Sequence, residues 1–81
     1  MKELIEYIAK ALVEKPDEVK VVEEDDRGRV IVRLEVAEDD YGKVIGKGGR
    51  IAQSMRALLK VTAIRRDEYA SLEIGAITVL R

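Results

Sequence analysis

Four glycines fall within eight residues, in Gly42-Lys43-Val44-Ile45-Gly46-Lys47-Gly48-Gly49, and Arg50-Ile51 follow directly. A helix or strand does not run through such a stretch. Glycine weakens both interiors and is placed where φ must be positive or where backbone must approach a ligand closely. From Arg50 to about Ile64 the apolar residues have helical spacing, so the glycines sit at a helix N-terminus. Unpaired N–H groups and the helix dipole favour negative charge there, and Lys43, Lys47 and Arg50 add cations. Phosphate is the commonest anion at such a site, and the stretch reads as a backbone clamp for it.

The chain has 81 residues, which is one small domain. A domain of this size buries only about 60–65% of the surface its unfolded chain exposes, so its core is thin. Net charge is −1, with 47% apolar and 38% charged residues, a balance that fits a folded domain rather than a disordered tail. The charge is segregated. Residues 1–40 carry thirteen acids and seven bases, whereas Tyr41 to Arg66 carries seven bases (Lys43, Lys47, Arg50, Arg56, Lys60, Arg65, Arg66) and no acid. A positive face on a nearly neutral protein suits a polyanion. Cysteine and histidine are absent, which leaves no disulfide framework, no thiolate and no ordinary zinc ligands. No apolar run approaches ~18 residues and no signal-peptide pattern opens the chain, so the expected location is cytoplasmic, with no membrane contact.

In chain order, Met1 to Lys15 reads as a helix, with Leu4, Ile5, Ile8, Ala11 and Leu12 on one stripe and Pro16 as its stop. Glu18 to Glu24 reads as a strand, with Val19 and Val21 alternating and Val22 out of phase. Asp25-Asp26-Arg27-Gly28 is a turn. Arg29 to Val36 is the clearest strand: Val30, Val32, Leu34 and Val36 face a core, and Arg29, Ile31, Arg33 and Glu35 face water. The two strands form an antiparallel hairpin. Ala37-Glu38-Asp39-Asp40 supplies a cap and first turn for a short helix reaching Ile45, which Gly46 ends. In the helix Arg50–Arg66, Ile51, Met55, Leu58, Leu59 and Thr62 share the core face, and Gln53, Arg56 and Lys60 share another with Arg50 at its edge. Ser71 to Leu80 reads as a last strand. Leu72 and Ile74 keep one phase, Ile77 and Val79 the other, and a break is expected at Gly75. The order α-β-β-α-α-β predicts an α+β domain with three helices on one face of a three-stranded sheet.

Three phosphate motifs compete for the glycine stretch. A nucleotide P-loop needs one more residue between Gly42 and Gly46-Lys47, and a Ser or Thr where Gly48 stands. A dinucleotide fingerprint needs glycine where Ile51 stands, and a strand rather than a helix before it. The GXXG loop of a K-homology (KH) domain, set between two helices, fits Gly46-Lys47-Gly48-Gly49.

Val44-Ile45-Gly46-Lys47-Gly48-Gly49-Arg50-Ile51 resembles the VIGxxGxxI signature of KH domains. The element order is similar to the type II, bacterial version, and the resemblance spans 1–81 as a single domain. Length and the first helix closed by Pro16 look like the small stand-alone KH proteins of the KhpA-like (YlqC) family. The resemblance implies single-stranded RNA held by its backbone at residues 46–49 beside a narrow apolar groove. Carried over, Gly46, Lys47, Gly48 and Gly49 form the clamp, Lys47 and Arg50 meet phosphate, and Lys43 can add a contact. Val44, Ile45 and Ile51 match apolar positions of the signature, which either line the groove or pack in the core. The implied role is an RNA chaperone or post-transcriptional regulator, without cofactor or metal.

Only Tyr7, Tyr41 and Tyr69 are aromatic, so readout by stacking on a strand platform is not expected. Arg50, Arg56 and Lys60 are expected to give a salt-sensitive, sequence-independent share of affinity. Catalysis is not expected, because no histidine or cysteine can pair with Ser54 or Ser71. The other reading is an interaction module. Ala57, Val61 and Ile64 recur at i, i+4, i+7 off the core face, with Leu58 at the edge. The resemblance implies pairing with a second copy or with a larger KhpB/Jag-like KH protein.

Overall fold

The computed structural model describes residues 1–75. Its elements are α1 (Lys2–Leu12), β1 (Lys20–Asp26), β2 (Arg29–Glu35), α2 (Tyr41–Ile45), α3 (Arg50–Arg65) and β3 (Tyr69–Ile74). Short 3₁₀ turns occupy Pro16–Glu18 and Glu38–Asp40, and Lys47–Gly49 is a tight turn with left-handed Gly48 and Gly49.

The alternation of β2 does what its period requires. Val30, Val32 and Leu34 are buried, and the residues between them face outward. β1 pairs with it antiparallel, with Asp26 opposite Arg29. That register leaves Arg27 and Gly28 as a two-residue turn, both at positive φ (57° and 85°), which is the backbone of a type I′ hairpin turn. Asp25 Oδ1 accepts from Gly28 N–H at 3.2 Å and fixes the turn. β3 lies on the other side of β2 and runs parallel to it, with Leu72 opposite Val32. A parallel pair cannot be joined by a tight turn, so residues 36–68, with α2 and α3, form the crossover.

Three helices cover one face of this mixed sheet, and an α+β fold results. Ile5 and Ala9 of α1, Val44 of α2, and Ala52, Met55, Leu59 and Ala63 of α3 meet Val21, Val30, Val32, Leu34, Leu72 and Ile74 of the sheet in one core. On the open face Arg33 bridges the outer strands, 2.9 Å from Glu24 and 2.9 Å from Glu73. The hydrogen bond its guanidinium donates to Glu73, then that to Glu24, raises its pKa.

Several expectations need correction. Pro16 does not end α1, which stops at Leu12. The amides of Glu14 and Lys15 instead donate to the buried carboxylate of Asp40, at 3.3 and 3.1 Å, and are thus diverted from helix bonding. Lys15 also precedes a proline, which disfavours helical backbone. The α1 stripe centres on Ile5 and Ala9, and Ala11 and Leu12 are exposed. β1 starts at Lys20 because the 3₁₀ turn occupies Pro16–Glu18. Residues 37–45 form a 3₁₀ turn and then α2, not one helix, and no side chain of the acidic run caps it. Asp40 points inward instead. On α3 the core face is Ala52, Met55, Leu59 and Ala63, so Leu58 is exposed and Ile51 and Thr62 are only partly buried. The buried residues Ala52, Met55, Leu59 and Ala63 recur at i, i+3, i+7, i+11, a stripe from which Leu58, about 100° from Leu59, is turned away. β3 begins at Tyr69, two residues early, and ends at Ile74 before Gly75. The remainder of the expected last strand, with Ile77 and Val79, lies outside the described residues. Among the described residues no helix is long and apolar enough to cross a membrane.

Candidate nucleic-acid interface

The glycine stretch becomes a tight link between α2 and α3. Gly46 closes α2, its N–H donating to Gly42 O at 2.9 Å, and its backbone lies at φ 77°, ψ 170°. Gly49 N–H donates to Gly46 O at 3.0 Å. Gly48 and Gly49 are both left-handed, at φ 65° and 77°. The three glycines differ in what surrounds them. A Cβ on Gly46 would stand 2.7 Å from Ile51 Cγ1, whereas a Cβ on Gly48 or Gly49 would meet nothing within 4 Å. Gly46 is therefore packed, whereas Gly48 is exposed and the half-buried Gly49 has open space where a side chain would stand.

Gly49 is also the N-cap of α3, with no side chain capping the helix and no acid in its first turn. Arg50 N–H donates to Lys47 O and continues the turn, so the positive end of a 16-residue helix lies beside the exposed Gly48 without a side chain over it. Lys47 and Arg50 are exposed on either side, and among the described residues neither is in an ion pair. This is a concentrated positive site made mostly of backbone.

Next to it lies a cleft of about 390 Å³ lined by Tyr41, Ile45, Gly49, Ala52, Gln53, Arg56 and Ile74. α2 forms one wall, α3 another, and the end of β3 closes it. Arg56 Nη2 donates to Leu72 O of β3 at 3.5 Å. The Tyr41 ring lies against the backbone of Gly75, where a Cβ would come 2.7 Å from its Cε1 and Cζ.

The structure divides the expected site residues. Gly46, Lys47, Gly48, Gly49 and Arg50 form the loop and helix start. Ile45 (38% exposed) and Gly49 line the cleft. Ile51 is partly buried against Gly46, Val44 is fully buried in the core, and neither lines the cleft. Lys43 Nζ is 3.8 Å from Glu14 Oε2, turned towards the α1 side. The cleft adds Tyr41, Ala52 and Ile74 to the expected site residues, together with Gln53 and Arg56 of the basic helix face. Tyr41 stands four residues before Ile45, and Gln53 stands three before Arg56, spacings that put each pair on one helix face. Ile74 has no such local signal, because only the parallel register brings it there.

A glycine link between two helices, opening onto an apolar cleft closed by a strand parallel to the sheet centre, in the order α-β-β-α-α-β, defines a type II KH domain. The chain belongs to the KhpA/KhpB KH-domain family, whose model matches residues 2–74. It is similar to "RNA-binding protein KhpA" of Caldanaerobacter subterraneus subsp. tengcongensis, 49% identical over 74 residues, which cover 91% of this chain and 99% of the relative. The protein of the same name from Treponema pallidum is 50% identical over 72 residues, covering 89% and 90%. That from Clostridium acetobutylicum is 47% identical over 74 residues, covering 91% and 99%. No solved structure gives a significant match.

Proposed function

We propose that this chain binds single-stranded RNA, with the sugar-phosphate backbone held at Gly46-Lys47-Gly48-Gly49 and the bases turned into the cleft. The observation that carries this reading is the uncapped N-terminus of α3 beside two left-handed glycines with open space over them. Backbone donors there suit phosphate whatever the base, and Lys47 and Arg50 add charge. The relatives' names as RNA-binding proteins support RNA as the polyanion. A small binder that grips backbone suits an RNA chaperone or post-transcriptional regulator in the cytoplasm, and the activity is binding rather than catalysis. The double variant Lys47→Asp/Gly48→Asp tests it. Aspartate tolerates left-handed backbone better than most side chains, so the fold should persist while two carboxylates face the phosphate. Fluorescence anisotropy with a short labelled RNA should show binding lost, and circular dichroism should show the wild-type spectrum. Unchanged affinity in the folded variant refutes the clamp.

A second observation favours self-association alongside RNA binding. Leu58, Val61 and Ile64 are 46%, 57% and 69% exposed on α3. They form an apolar strip beside the exposed Ala57, on a domain whose core is small. We propose that this strip pairs with a second copy or with a KhpB/Jag-like KH protein.

A further inference from the structure

We infer that Arg56 reads a base edge rather than a phosphate, and that it selects a base offering two adjacent acceptors, guanine or cytosine. This inference rests on the proposed RNA-binding reading of the cleft. Arg56 is seven residues beyond Gly49 on α3, roughly 10 Å along the helix, so it is removed from the phosphate site at the loop. It lines the cleft, where its neighbours Ala52, Ile45 and Ile74 are apolar and no carboxylate is present. Its Nη2 lies 3.5 Å from Leu72 O, a long contact that places the guanidinium at the β3 side of the cleft. Among the described residues no ion pair takes up the rest of its donors. The planar guanidinium fork presents parallel N–H groups, and these match two acceptors side by side. Guanine offers O6 and N7 in that arrangement, and cytosine offers O2 and N3 on its pairing edge. Adenine and uracil place a donor next to each acceptor on the pairing edge, so one N–H of the fork would face another donor. Gln53, one turn nearer the loop, carries an amide with both a donor and an acceptor and meets the neighbouring base.

The test uses four tetranucleotides, uridine at three positions and G, C, A or U at the third. Affinities are measured for wild type, Arg56→Ala, Arg56→Lys and Lys47→Asp/Gly48→Asp, each checked for fold by circular dichroism. Wild type should prefer the G or the C oligonucleotide over A and U by roughly 5- to 150-fold, the range for one good bidentate pair. Either base as the winner supports the inference and identifies the source of the acceptor pair. In Arg56→Ala and in Arg56→Lys, which keeps the charge but loses the fork, the preference should collapse to about twofold or less. The slope of log K against log salt should stay at the wild-type value. The loop variant should lose all four ligands alike. Arg56 is a phosphate contact, and the inference is overturned, if Arg56→Ala weakens all four equally and lowers the salt slope by ~0.7. A wild-type preference for A or U, or none, also overturns it while leaving the clamp standing. Failure of wild type to bind any of the four overturns the RNA reading and this inference together.

Discussion

Gly46→Ala should be far more damaging than Gly48→Ala or Gly49→Ala, although all three glycines have positive φ. At Gly46 the backbone lies at φ 77°, ψ 170°, a region essentially reserved for glycine, where another residue costs about 1–3 kcal/mol. The new Cβ would also stand 2.7 Å from Ile51 Cγ1 and 3.0 Å from its Cβ and Cδ1. Overpacking of that kind costs a further 1–3 kcal/mol or so. Together these reach about 2–6 kcal/mol, against a total stability on the order of 4–12 kcal/mol for a chain of this length. At Gly48 and Gly49 there is no clash, and only the left-handed penalty of roughly 1–2 kcal/mol applies. With about 4–8 °C lost per kcal/mol in a domain this small, the extra steric cost lowers the melting temperature of Gly46→Ala by about 4–24 °C below that of Gly48→Ala. Thermal melts followed by circular dichroism measure this. Ile51→Ala removes Cγ1 and Cδ1, so in a double-mutant cycle it should return about 1–3 kcal/mol to the Gly46→Ala protein. Equal melting temperatures for Gly46→Ala and Gly48→Ala, or no coupling to Ile51→Ala, would refute the packing argument.

Asp40→Asn should destabilise the protein by about 1.5–3 kcal/mol, because a charged acceptor is lost and an amide N–H₂ group is set against the Glu14 or Lys15 N–H; urea titration reads it, and a midpoint like the wild type's would show that the carboxylate does not hold this junction. Arg50→Ala should lower the salt slope of RNA binding by ~0.7, and an unaltered slope would leave Arg50 as a solvated helix residue. Gly75→Ala should displace the Tyr41 ring and weaken RNA binding more than Tyr41→Phe does; anisotropy titrations of the two variants decide it. Val61→Asp and Ile64→Asp should each give a folded monomer by light scattering, and a wild type that is already monomeric at micromolar concentration counts against the α3 strip as an interface.

What could be read from the sequence was what local spacing controls. The period-two pattern of Arg29–Val36 located β2 and its buried face, and the glycines placed a link between two helices. The signature around Gly46 pointed to the family. What could not be read depends on contacts distant in the chain. The end of α1 is set by Asp40, whose carboxylate takes the Glu14 and Lys15 amides, and no pattern near Pro16 reports that. The core face of α3 includes Ala52 and Ala63, so a stripe drawn through the large apolar residues wrongly places Leu58 inward. Val44 and Ile45 are adjacent and both apolar, yet one is in the core and the other at the cleft. That division follows from which face of the short α2 turns towards α3 and α1. Tyr41 and Ile74 become neighbours of the cleft only through the parallel pairing of β2 with β3.

That parallel pairing also sets an order of events during synthesis. β1 and β2 are joined by a two-residue turn and can pair as soon as both have emerged, whereas β3 must wait for residues 36–68. Pairing over such a separation carries a larger loop-closure cost and comes later in folding. The far wall of the cleft, Ile74, and the carbonyl beside Arg56, Leu72 O, both belong to β3. A nascent chain that has exposed its glycine loop and α3 therefore has the charged half of the site without the shaped half. It can attract a polyanion but has no enclosed cleft for a base until the last strand docks. A ribosome-bound chain stalled before residue 69 should thus bind RNA without base preference, and selectivity arrives with β3.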